Sequence, residues 1–315
     1  MHQAAIERRV LILASFLVLV FISMPFSKNR THDDFSLVTM DMGNGTCHLI
    51  MTEQSSYLFD GGSLDKKSCG RNIILPVLEN NGVRRLDGVF ISHANRDHFS
   101  GLSEIVGRIP IGSFFVGESF YEKALLSPDG APGRMLRLIE SWRIPYAVVS
   151  AGSEIASSDL KITVHHPDKG IRYQRENDNS LVVSVGRTLE DDGQASVIFT
   201  GDIEEEGMCD ILDEVEGLPK TIILEAPHHG SVRRSSENFI DTLSPDFLVQ
   251  STGKMRLRRD HLSEIMMRHE DIVRLNTSSH GLIRININDS PPLVEIETTL
   301  KNDMIQISDS LREKD

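Results

Sequence analysis

The stretch Val89-Phe90-Ile91-Ser92-His93-Ala94-Asn95-Arg96-Asp97-His98-Phe99-Ser100-Gly101-Leu102 decides how the rest of the chain is read. Three apolar residues suited to a buried strand run into a segment holding two imidazoles, an amide and a carboxylate, and a helix-like pattern follows. In an extended loop, residues two apart project to the same side. His93 and Asn95 are therefore expected to share one centre, with Asp97 and His98 turned toward an adjacent one. Two imidazoles and a carboxylate this close together suit a borderline divalent ion. The plainer reading makes both histidines polar loop residues and Asp97 a helix cap.

The same arrangement recurs along the chain. Leu58-Phe59-Asp60-Gly61-Gly62 ends an apolar strand in a carboxylate followed by two glycines that permit a tight turn. Val197-Ile198-Phe199-Thr200-Gly201-Asp202 and Ile222-Ile223-Leu224-Glu225-Ala226-Pro227-His228-His229-Gly230-Ser231 do likewise. Metal-binding residue types after four separate strands point to one shared site.

Further outward, short Val/Ile/Phe-rich runs alternate with helix-like stretches, the pattern of an α/β layer structure. Strands are expected at 36–40, 48–52, 56–59, 88–92, 113–116, 147–149, 161–165, 181–185, 196–200, 221–224 and 247–250. Helices are expected at 73–80, 99–106, 118–126, 134–142, 204–215, 235–242 and 261–268, and residues 281–298 read as a closing hairpin.

The chain has 315 residues, 39% of them hydrophobic, and a net charge of −13, which suits a folded protein and argues against a surface that coats nucleic acid as a whole. Cys47, Cys69 and Cys209 show no CxxC spacing, which excludes a zinc ribbon or a thioredoxin-like redox pair. Residues 10–24 form an uncharged apolar run between Arg8-Arg9 and Pro25. Extended by two residues it just reaches the roughly 17 residues a spanning helix needs, and no small-x-small cleavage site follows it. Residues 1–30 are read as a signal-anchor that ties the folded domain to a membrane on its non-cytoplasmic side. Secretion after signal cleavage is the alternative. The domain is expected to occupy residues 31–300, with a charged tail at 301–315.

The ordered motifs resemble the metallo-β-lactamase fold, and within it the hydrolase-like domain of ComEC-type DNA-uptake competence proteins. The residues that carry this are DMGNGT (41–46), FDGG (59–62), SHANRDHFSGL (92–102), NDNSLVV (177–183), FTGD (199–202), PHHGS (227–231) and GKMRLRRDH (253–261). The resemblance implies a four-layered αββα sandwich with a water activated by one or two divalent ions, Zn or Mn. It implies His93, Asp97, His98, Asp202 and His229 as ligands, with Asp97 also orienting the attacking water. Asp60 would hold a ligand imidazole in its tautomer, and Asn95, Asp178, His228 and His166 are weaker candidates. Asn95 stands where the branch often has Asp, and Thr46 where it has Asp.

Charge near the motifs bears on the substrate. Residues 188–216 hold eleven acids and no Lys or Arg, whereas residues 233–259 hold six bases against three acids. Such a basic patch suits phosphates, whose contacts come mainly from Arg and Lys. Arg233, Arg234, Arg256 and His261 are the expected substrate-binding residues, and the expected partner is an anionic substrate such as DNA. The leading expectation is a metal-dependent phosphodiesterase or nuclease. A hydrolase of a small ester, thioester or lactone, and a binding module without turnover, stand as alternatives.

Overall fold

Strands that are apolar at successive positions need cover on both faces, and the computed structural model of the chain meets that need with four layers. It describes residues 35–188, 194–220, 222–289, 292–300 and 305–307. Strands β1 (Phe35–Thr39), β2 (His48–Met51), β3 (Ser56–Phe59), β4 (Leu86–Ile91), β5 (Ile111–Gly117) and β6 (Tyr146–Val149) build most of the first sheet. The second holds β7 (Glu154–Ile155), β8 (Lys161–His166), β9 (Val182–Thr188), β10 (Gln194–Phe199), β11 (Ile223–Glu225), β12 (Phe247–Gln250) and β13 (Val273–Asn276). The chain then returns to the first sheet with β14 (Ile283–Asp289), β15 (Pro292–Thr298) and β16 (Ile305–Ile307). Among the described residues the strand orders are β16-β15-β14-β1-β2-β3-β4-β5-β6 and β13-β12-β11-β10-β9-β8-β7.

Side-chain alternation sorts the apolar residues into layers. Phe90 of β4 and Val197 and Phe199 of β10 face the space between the sheets, while Val89, Ile91 and Ile198 face the helices outside. Phe59 stacks on Phe90 (centroids 4.5 Å apart) and on Phe199 (3.9 Å), which joins the two sheets one residue before Asp60. Burying each such ring contributes roughly 2–3 kcal/mol. The Leu75–Asn80, Leu102–Ile105, Glu118–Leu126 and Ala131–Ser141 helices cover the first sheet through Leu78, Ile105, Phe120 and Ile139. The Glu205–Asp213, Ser236–Leu243 and Leu262–Met266 helices cover the second through Ile211, Phe239 and Ile265. The expected αββα sandwich is what the chain forms.

Several local expectations change. The single helix expected at 99–106 is two short ones, Arg96–Phe99 and Leu102–Ile105. Gly101 N–H donates to Gly61 O (2.9 Å), and Asp97 O accepts from Thr46 N–H (3.2 Å), so the helical bond between 101 and 97 is never made. Strands β7 and β13 were not expected. The first is two residues long, and the second is an edge strand with a single fully buried side chain, Leu275. The tail expected from 301 contains β16, which pairs with β15. The apolar run at 10–24 lies outside the described residues, and among those residues no helix is long and apolar enough to cross a membrane. The three cysteines are free, Cys47 and Cys69 buried and Cys209 exposed.

Candidate metal centre

Two parallel strand pairs explain why distant segments meet. β3 and β4 run parallel with Phe59 opposite Phe90, and β10 and β11 run parallel with Ile198 opposite Leu224. Each pair therefore releases two turns at the same end of its sheet. The turn after β3 is tight: Asp60 adopts a left-handed backbone (φ 57°), and Gly61 N–H donates to His98 O (2.6 Å). A Cβ on Gly62 would lie 2.5 Å from the Asp97 carbonyl carbon. Glycine at 62 is thus what allows the 93–98 segment to approach.

Three imidazoles are aimed by the hydrogen bonds of their Nδ1 atoms. Asp60 Oδ1 accepts from Ser92 N–H (2.8 Å), and its Oδ2 accepts from Ser92 Oγ (2.7 Å) and from His98 Nδ1 (2.7 Å). Because the Ser92 hydroxyl donates to Asp60, its oxygen is left to accept from His93 Nδ1, 3.0 Å away. His229 Nδ1 donates to Ser251 O (3.0 Å). Each ring thereby commits its Nδ1–H to an acceptor and turns its Nε2 inward. All three Nε2 atoms are buried without a hydrogen-bond partner.

Two carboxylates face the Nε2 atoms of His98 and His229. Asp202 Oδ1 lies 3.2 Å from His98 Nε2 and 3.6 Å from His229 Nε2, and Asp97 Oδ2 lies 3.7 Å from His229 Nε2. The first contact is close but misaligned for a hydrogen bond. Asp97, His98, Asp202 and His229 each offer an atom within 4.8 Å of the others, and the His93 ring lies 4.2 Å from that of His98. Unpartnered buried nitrogens facing carboxylates fit a divalent cation held between them.

The electrostatics agree with that fit. Burial opposes a charged His98 ring, yet Asp202 and Asp60 outweigh it and hold its pKa well above the ordinary histidine value. Burial, with His98 alongside, pushes His93 down to about 3. For Asp202 burial works upward, but His229 and His98 bring its pKa well below the carboxylate range. Asp97 is likewise lowered against the pull of burial, chiefly by His229. These side chains favour positive charge among them, from a proton or from a metal ion.

Of the remaining sequence candidates, His228 borders the cluster and the others make contacts outside it. Asn95, expected to share a centre with His93, donates its Nδ2 to Asn177 Oδ1 (2.8 Å). His228 has a left-handed backbone (φ 47°), and its ring reaches Glu204 (Nδ1 to Oε1, 3.2 Å) with Nε2 3.6 Å from Asp202 Oδ2. Asp178 instead receives Glu204 N–H (2.7 Å) and Gly207 N–H (3.0 Å), capping the Glu205–Asp213 helix. His166 bonds Ser180 O through Nδ1 (2.9 Å) and stacks on Tyr173, apart from the cluster. Of the basic candidates, Arg233 is bound to Glu204 (Nη2 to Oε1, 3.0 Å) and Arg234 is exposed. Arg256 donates to His228 O (2.7 Å) and Ser231 Oγ (2.9 Å), supporting the strained 228–229 turn. His261 is exposed and lies 3.8 Å from Glu264 Oε1.

Two buried groups escaped the sequence reading. Glu225 Oε2 accepts from Thr200 N–H (2.9 Å) and Gly201 N–H (3.0 Å), and so shapes the turn that presents Asp202. Its Oε1 meets His48 Nε2 (2.9 Å) across the sandwich. Glu204, 6% exposed, gathers Arg175, Arg233, Asn177 and His228. A carboxylate ending an apolar strand just before Pro227-His228 was the available signal for Glu225.

No family model matches the chain. Its sequence is 28% identical over 228 residues to competence protein ComA of Neisseria gonorrhoeae, which covers 70% of this chain and 27% of that protein. It is 29% identical over 226 residues to ComE operon protein 3 of Bacillus subtilis (69% and 26%). Over 282 residues it is 27% identical to recombination protein 2 of Haemophilus influenzae (88% and 31%). The chain thus spans about a quarter to a third of these relatives' length. Among solved structures it resembles the metallo-β-lactamase fold protein YhfI of B. subtilis (TM-score 0.54, 12% identity, 80% of this chain and 99% of that one). It also resembles the diiron β-hydroxylase CmlA of Streptomyces venezuelae (0.53, 15%, 82% and 55%) and yeast PDE1 (0.50, 11%, 77% and 97%). At such identities the likeness is one of fold.

Proposed function

We propose that this metallo-β-lactamase-fold chain, related in sequence to ComEC-type competence proteins, is a metal-dependent hydrolase of phosphodiester bonds with a nucleic acid as substrate. The observation that carries the proposal is the convergence of the buried His98 and His229 Nε2 atoms on Asp202 and Asp97, with a third unpartnered Nε2 on the His93 ring beside His98. Asp97, His98, Asp202 and His229, with His93 beside them, would hold one or two divalent ions. Such an ion supplies Lewis acidity at a phosphoryl oxygen and makes water a nucleophile near neutral pH.

The chain's own residues do the positioning. Asp60 fixes His98, Ser92 fixes His93 and the Ser251 carbonyl fixes His229, so the donors are set before any ligand arrives. Asp97, less deeply buried than the histidines, would also orient the attacking water. The apolar run at 10–24 would attach the domain to a membrane. The test is hydrolysis of bis-p-nitrophenyl phosphate and single-stranded DNA by Mn- or Zn-loaded protein, set against p-nitrophenyl acetate. Phosphodiester cleavage that Asp97→Ala abolishes is expected. Cleavage of the carboxylic ester alone would replace this reading with that of an esterase, and no turnover of any substrate with that of a binding module.

A further inference from the structure

Glu204 lies one imidazole away from the metal cluster, on the far side of His228. Its Oε1 accepts from Asn177 Nδ2 (3.0 Å) and meets Arg233 Nη2 (3.0 Å) and His228 Nδ1 (3.2 Å). Its Oε2 accepts from Arg175 Nη1 (2.7 Å) and Arg233 Nε (3.1 Å). Both oxygens are saturated, so this carboxylate is not a spare metal ligand. The chain of amides follows from it: Asn177 must turn its Nδ2 to Glu204, which leaves its Oδ1 to receive Asn95 Nδ2.

Two guanidiniums from separate segments therefore converge on one carboxylate beside the cluster, leaving one net positive charge. Arg233 spends Nε and Nη2 on Glu204 and Nη1 on Val232 O (3.2 Å). Arg175 spends only Nη1 on it, and its side chain is 63% exposed. Its Nε and Nη2 make no contact with Glu204, and together they form the kind of paired-donor edge that binds two phosphate oxygens.

We propose that Arg175, aligned by Glu204 and backed by Arg233, is an anion subsite that holds a phosphate group of the substrate next to the metal centre. The proposal rests on the phosphodiesterase reading for its substrate class. It assigns the holding role to a residue from the 171–180 loop, outside the basic stretch at 233–259.

The test is titration of Mn-loaded protein with inorganic phosphate by calorimetry, with metal content measured on the same samples. Wild type should bind phosphate. Arg175→Gln should retain its manganese and weaken phosphate binding about five- to tenfold, a modest loss because the site is solvent-exposed, with Arg175→Lys intermediate. In hydrolysis the same substitution should raise KM more than it lowers kcat. Unchanged phosphate affinity in Arg175→Gln, or loss of manganese along with it, would overturn the subsite. Phosphate held through Arg175 by a protein that cleaves no phosphodiester would leave the subsite standing and remove the hydrolase reading.

Discussion

His98 sits between two carboxylates, Asp60 at 2.7 Å from Nδ1 and Asp202 at 3.2 Å from Nε2. The first fixes the tautomer and the second shares the position where a cation would bind. This separates two kinds of aspartate by experiment. Asp60→Asn keeps the shape of the turn but loses the charged acceptor, and should weaken Mn or Zn binding about 10- to 100-fold in competition with a chelator. Asp97→Ala should abolish tight binding, whereas His280→Ala, whose ring bonds the Asn276 carbonyl, should leave it intact. Equal affinity in all three variants would remove the centre. The segments that meet at the cluster could be read from sequence because each follows an apolar strand, and the family resemblance picked out the individual positions within them. Asn95 could not be placed, because its partner Asn177 is 82 positions away.

At the scale of elements, the turn carrying Asp202 is shaped by Glu225 from the neighbouring parallel strand, with His48 of the other sheet as its counter-group. Burial works to raise the Glu225 pKa, but His48 and the Thr200 and Gly201 N–H groups bring it below 4.5. A depressed carboxylate pKa contributes stability above the unfolded value, lost as pH falls through the folded one. Wild type should therefore exceed Glu225→Gln by about 3 kcal/mol in urea unfolding at pH 7, and the gap should narrow below about pH 4.5. A gap that stayed constant down to pH 3 would show that Glu225 does not titrate as described. Strand alternation made the sandwich legible, since β4 and β10 are apolar on both faces. The pairing of His48 with Glu225 was not, because residues 177 positions apart meet only once two sheets have packed.

The whole molecule carries a net charge of −13, so any nucleic acid must be held by a local contact against the general field. If Arg175 engages a phosphate of a single strand, that contact should contribute about −0.7 to the slope of log Kobs against log salt. Arg175→Gln should make that slope shallower by about 0.7 in fluorescence anisotropy with Mn-loaded protein, and an unchanged slope would place Arg175 away from the strand. The basic stretch at 233–259 was a poorer guide than its charge suggested. Arg233 is neutralised by Glu204 and Arg256 supports a backbone turn, uses that a count of charges does not reveal. All of this depends on the metal centre itself. The most direct measurement is elemental analysis after equilibrium dialysis against Mn or Zn, for wild type and Asp202→Ala side by side. At least one equivalent retained by wild type and none by Asp202→Ala is the expected result; no metal in wild type, or equal retention in both proteins, would contradict it.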